Sequence, residues 1–314
     1  MALFTSTMEQ LAFLFSLIVI GYLLGRFKVV PENSSTVLSK LENVLFVPAL
    51  VMGTFIKNFT VSTLSSAWKL LCISLGILLI VIPVVMLIVK LITKDKYLQN
   101  IYTYGLVFSN FGFMGNAVVA ALFPEIFLEY IIFTLPLWMG IYLWGAPVLL
   151  IADNEGKQTL AKRLKAFKNP MIAGMLIGMV IGISGLKLPE WLTSVVTVSG
   201  DCMSPVAMLL TGMTVATIDL KKTFTNVSIY AVTFVRLIVL PLILIGINLI
   251  CTKFFVPINE TVFLCALCSL AMPLGLNTIV IPRAYGKDTS VAAGMAVVSH
   301  LLSCLTIPLI FSLI

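Results

Sequence analysis

Ten apolar runs bounded by polar or charged residues dominate this chain: 9–25, 37–56, 68–92, 100–122, 126–151, 170–185, 191–217, 227–250, 260–282 and 289–313. A helix needs roughly 20 apolar residues to cross a bilayer core. Backbone polar groups cannot face lipid unpaired, and these runs are too long for barrel strands, so the expected architecture is all-helical and membrane-spanning. Ten such spans use up most of the 314 residues, leaving only tails and connections. A soluble domain has about a quarter of its residues charged; here the figure is 11% and the mean hydropathy is +1.11. A soluble enzyme, a disordered tail and a nucleic-acid reader are therefore excluded.

The net charge of +7 would otherwise suggest an anionic polymer as partner. In a membrane protein, Lys and Arg instead collect in cytoplasmic loops. Loops after the odd-numbered spans hold fifteen of them, including Arg26, Lys90, Lys162, Arg163, Lys221 and Arg283. The opposite side holds four, Lys57, Lys69, Lys187 and Lys253. This bias predicts both termini outside and the central loop in the cytoplasm. The N-terminus lacks a basic leader region, so the first run is expected as a retained span. Cys265 and Cys268 have no second pair and fall inside a span, which favours packing over metal binding, and no cofactor is expected.

Landmarks in the first half recur in the second. Gly21-x-x-x-Gly25 returns as Gly178-x-x-x-Gly182 and Pro48 as Pro205, both at an offset of 157 residues. Pro83 returns as Pro241, Asn116 as Asn277 and Pro147 as Pro308, with the offset growing only to 161. The expected organisation is a first five-helix repeat at 1–151, a basic cytoplasmic linker at 152–169 and a second repeat at 170–314. An odd number of spans per repeat inverts the second half. Inverted repeats are typical of secondary transporters, with the site where the repeats meet.

Span 4 contains Ser109-Asn110-Phe111-Gly112-Phe113-Met114-Gly115-Asn116, and span 9 contains Met272-Pro273-Leu274-Gly275-Leu276-Asn277-Thr278. Glycines and amides weaken a helix, and a proline removes a donor. Both spans are expected to break there, and a broken helix is the best pointer to a transporter site. Each second half-helix would begin with free N–H groups and a positive dipole end, suited to a carboxylate. The candidate substrate residues are Asn110, Gly112, Gly115, Asn116, Pro273, Gly275, Asn277, Thr278 and Arg236. The alternative is a pair of kinks for close helix crossing, each Asn capping its own half-helix.

Arg236 and Asp201 each lie about ten residues into their spans, and intramembrane charges are functional hypotheses by default. One reading makes them a structural ion pair. The other directs Arg236 at an anionic substrate and makes Asp201 the protonatable group of proton coupling. Glu42 and Lys40 read as interfacial anchors, His300 as a packed histidine, and Trp68, Trp191, Tyr97 and Tyr104 as an aromatic belt. Trp138 and Trp144 fall deeper.

The stretch Asn110 to Asn116 and the segment from Asn277-Thr278 to Tyr285-Gly286, with ten spans and a short central loop, resemble the auxin efflux carrier family along nearly the whole chain. These are bacterial permeases related to the plant PIN-FORMED auxin exporters. The resemblance implies a crossover fold shared with bile-acid sodium symporters: ten helices, with helices 4 and 9 crossing beside the substrate. It also implies homodimers and small organic anions such as malate, malonate or lactate as substrates. The plant members' proline in the first crossover and their long cytoplasmic loop are absent here. The competing functions are a sodium-coupled symporter of the bile-acid type and a ligand sensor on a transporter fold. No H-E-x-x-H motif, P-loop or Ser-His-Asp grouping supports an enzyme or an ATP-driven pump.

Overall fold

A computed structural model describes residues 2–152, 170–217 and 225–314, and among these the chain is helical apart from loops and one isolated antiparallel bridge, Ser109 to Leu274. Eight helices have no unwound stretch at their middle: α1 (Ala2–Arg26), α2 (Ser34–Asn58), α3 (Val61–Ile92, kinked near its start at Ala67), α5 (Pro124–Ile151), α6 (Pro170–Ser184), α7 (Glu190–Thr217), α8 (Val227–Phe254) and α10 (Ser290–Phe311). Two are broken into halves: α4a (Lys96–Val107) with α4b (111–122), and α9a (Glu260–Ala271) with α9b (Asn277–Ala284). Six helices, α2, most of α3, α5, α7, α8 and α10, are long and apolar enough to cross a membrane, while α6, α9a and part of α1 are shorter apolar helices. The chain is an all-helical, multi-pass membrane protein. Residues 153–169 of the basic linker, and Lys221 with Lys222, lie outside the described residues.

Side-chain caps start several helices. The Thr60 hydroxyl accepts from Thr63 N–H at α3, Asp95 Oδ1 from Leu98 N–H at α4a, and Asn259 Oδ1 from Val262 N–H at α9a. Each satisfies an N–H that has no partner within its helix. Besides the π-type turn at 111–115 that opens α4b, three helices widen into π-type turns at 42–46, 141–151 and 235–239. Each lies at a proline, respectively Pro48, Pro147 and Pro241. A proline ring clashes with the carbonyl four residues back and supplies no N–H, and a widened turn relieves both problems.

Helix α1 packs on α7, and α2 on α6. Both contacts are made at backbone range. A Cβ on Gly21 would strike the Leu209 carbonyl, and one on Gly178 would lie 2.6 Å from the Met52 carbonyl oxygen. Gly25 meets Met213 and Ala216; Gly182 meets Ile56 and Phe59. Small residues at every fourth position allow such approach where lipid offers no hydrophobic drive between helices. Around this frame, α3 packs on α5 and α4a, α8 on α10, and α9b on α2 and α5.

Candidate functional site

The two interrupted helices cross through their unwound segments. Pro273 has no N–H and pushes its predecessor out of helical geometry, and Met272 sits at φ −70°, ψ 149°. The first break has no proline. There Phe108 turns extended at φ −111°, ψ 96°, and the strand-like residues find partners across the crossing. Asn110 N–H donates to the Pro273 carbonyl at 2.8 Å, and the Ser109 hydroxyl donates to the Ser269 carbonyl at 2.7 Å. At Gly275 a Cβ would sit 2.7 Å from the Phe108 carbonyl oxygen, so glycine is what lets the two main chains touch.

Four of the expected residues, Asn110, Gly112, Gly275 and Asn277, line one small void together with Tyr104, Ser109 and Trp138. Its volume is about 10 Å³, room for one water at most. Asn277 Nδ2 donates to the Tyr104 hydroxyl at 3.1 Å. His300 Nδ1 faces the Ala296 carbonyl at 2.8 Å, which fixes its proton there and leaves Nε2 to accept from Asn110 Nδ2 at 3.1 Å. The amide oxygens of Asn110 and Asn277 are buried with no partner. A buried unpaired polar atom is costly, and unpaired atoms of this kind call for a ligand or an ordered water.

The other expected residues take different places. Pro273 contributes its carbonyl to the crossing, and the Thr278 hydroxyl is spent on the Gly275 carbonyl at 2.8 Å. Gly115 packs against the Tyr130 hydroxyl and Met272. Asn116 lies five residues into α4b, outside the void, so the position that faces the crossing from the first broken helix is Asn110.

Arg236 is buried and bonded to carbonyls. Nε donates to Met272 at 3.0 Å, Nη1 to Leu106 at 2.8 Å and Nη2 to Ser269 at 2.8 Å. These acceptors lie at the C-terminal ends of α4a and α9a, where unpaired carbonyls and negative dipole ends converge. One guanidinium therefore caps both half-helices. Asp201 does not pair with it: Asp201 is exposed on α7. It lines a cleft of about 440 Å³ between α2, α5 and α7, together with Lys57, Asn58, Thr193 and Ile131.

Two groups differ from the sequence expectation, and a third had none. Tyr104 is fully buried at the crossing rather than in an interfacial belt, because its hydroxyl has a partner in Asn277. Glu42 is fully buried rather than an interfacial anchor, since α2 packs it inward at the 42–46 turn. Tyr130 was not singled out, yet its hydroxyl donates to the Phe111 carbonyl at 3.0 Å and holds the start of α4b. A signal for the buried charges was present: Glu42 and Arg236 each precede a mid-span proline by five or six residues.

Interrupted helices that cross through their unwound segments inside a multi-pass helical protein mark a membrane transporter. A family model described as Membrane transport protein matches residues 6–311. The chain belongs to that family, the auxin efflux carrier family. Among curated proteins none matches the chain.

Proposed function

We propose that this protein is a secondary carrier of small organic anions such as carboxylates, linked to protons and working by alternating access. The observation that carries the reading is the crossing itself. The N-termini of α4b and α9b and the amides of Asn110 and Asn277 gather at one buried void, and free N–H groups at helix N-termini favour an anion. The void is too small for a carboxylate as it stands, so binding requires the crossing to move relative to its surroundings. The neighbouring cleft has the size of a small-ligand site and carries Lys57. Its wall residue Ile131 adjoins Tyr130, which holds Phe111, so the cleft is a natural approach for the anion.

Two inverted five-helix repeats, with ten spans, fit this reading. The glycine contacts support them: Gly21 meets Leu209 as Gly178 meets Met52, and both partners are related by the same offset of 157 residues. Gly25 with Met213 and Ala216 mirrors Gly182 with Ile56 and Phe59 in the same way. The Lys and Arg bias supports termini outside and a cytoplasmic linker. One observation favours a sodium-coupled version, namely that unpaired amide oxygens are ligands for a hard cation.

The test is flux and charge movement in liposomes holding the purified protein. Mono- and dicarboxylates are applied while proton and sodium gradients are varied separately. Carboxylate flux that follows the proton gradient and ignores sodium supports the carrier reading. Flux that follows sodium selects the second version. Binding without flux or counterflow overturns both in favour of a sensor.

A further inference from the structure

Glu42 is the one acidic residue among the described residues that is wholly buried. Both of its carboxyl oxygens lack a hydrogen-bond partner, and it takes part in no ion pair. An ionised carboxylate in that position would be a buried charge without compensation, which proteins avoid by binding a proton. Its place in the fold gives that proton a consequence. One turn before Glu42, the Ser39 hydroxyl donates to the Val280 carbonyl of α9b, and Asn43 Nδ2 donates to the same oxygen at 3.1 Å. Glu42 thus lies where α2, part of the glycine-packed frame, meets α9b of the crossing.

On α5, Tyr142 is buried with an unpartnered hydroxyl and lies within electrostatic reach of both Glu42 and Tyr104. Tyr104 on α4a accepts from Asn277, which joins this polar trail to the crossing. On α9b, Arg283 gives Nη1 to Thr289 at 3.3 Å, its Nε has no hydrogen-bond partner, and it makes no ion pair with Glu42. Helix α6 carries no titratable side chain. The acidic groups of α7, Glu190 and Asp201, are exposed, Cys202 beside them is half-buried, and Lys40 on α2 itself is exposed.

We propose that Glu42 is a proton-binding site at the seam between α2 and α9b, its carboxyl protonated while the seam is closed and ionised when the seam opens to water. The consequence for transport rests on the carrier reading; the protonation does not, and it is read without substrate. The first measurement is infrared difference spectroscopy of the full chain in lipid at neutral pH. The expected result is a protonated-carboxyl band that is lost in Glu42→Gln and retained in Asp201→Asn. Should Glu42→Gln fail to fold, isotope-labelled glutamate in the unchanged chain must shift that band. No such band, a band indifferent to the label, or a band removed by sodium at fixed pH would each overturn the proposal. In liposomes, Glu42→Gln should flatten the pH dependence of carboxylate flux. If no carboxylate is carried at all, the band still decides whether Glu42 holds a proton.

Discussion

The backbone N–H of Asn110 donates to the carbonyl of Pro273 at 2.8 Å, so the two broken helices are joined main chain to main chain, beside the side-chain bonds of Ser109 and Asn277. With Arg236 tying the ends of α4a and α9a together on the other side, the crossing is bound from both directions. Local changes there should act on both helices at once.

Gly275→Ala should abolish carboxylate flux and lower the melting temperature, because its Cβ would meet the backbone of Phe108 rather than a yielding side chain. Gly76→Ala is the control. Nothing lies within 4 Å of that position in α3, and the change should be neutral or stabilise by about 0.5–1 kcal/mol. Thermal unfolding in detergent and liposome flux read both. Full flux in Gly275→Ala would show that the main chains need not touch.

Asn110→Ala and Asn277→Ala should each reduce flux by about tenfold or more while the protein still inserts; a factor of ten corresponds to about 1.4 kcal/mol. Tyr104→Phe should weaken flux less, since it removes one hydrogen bond worth about 1 kcal/mol. Asn116→Ala, outside the void, should transport nearly normally. An order of effects in which Asn116 ranks first would move the site one turn up α4b.

Arg236→Met should destabilise the fold by about 3–5 kcal/mol, the range for removing one partner of a buried charged network. Arg236→Lys keeps the charge but not the planar fork that reaches three carbonyls, and should fall between. If Arg236→Lys keeps its melting temperature and loses only substrate affinity, the arginine serves the anion rather than the helix ends.

Lys57→Ala should raise the KM for carboxylates at low ionic strength, with the difference shrinking as salt is added, because screening acts over about 10 Å at 0.1 M. Asp201→Asn should lower KM under the same conditions and leave the pH profile of flux unchanged. An altered pH profile in Asp201→Asn would restore that carboxylate to a coupling role.

The sequence made both helix breaks legible, because Pro273, Gly275 and the amide-rich stretch from Asn110 are costly inside an apolar helix. It also marked the glycines of α1 and α6. What it could not convey was which way a polar side chain turns. Arg236 and Asp201 lie at similar depth in their spans, yet one reaches three carbonyls while the other faces a cleft; that depends on how α7 and α8 are rotated. Asn116 matched Asn277 by spacing. The first break, however, is made by extended residues 108–110 and followed by a π-type turn at 111–115, so the amide facing the crossing is the earlier one. Glu42 and Tyr104 near the ends of apolar runs looked interfacial because hydropathy reports the length of a run and not its neighbours.

The glycine contacts of α1 with α7 and α2 with α6 set carbonyls against the opposing helix with no layer of side chains between them. Surfaces meshed at that range are like gear teeth without clearance: they cannot slip by a fraction of a turn, and longer slips would drive Leu209 or Met52 into a helix backbone. Large displacement has to occur elsewhere, along faces where side chains can rotate past one another. Under the proposed alternating access, the frame is the stator and the seam by Val280 the sliding face.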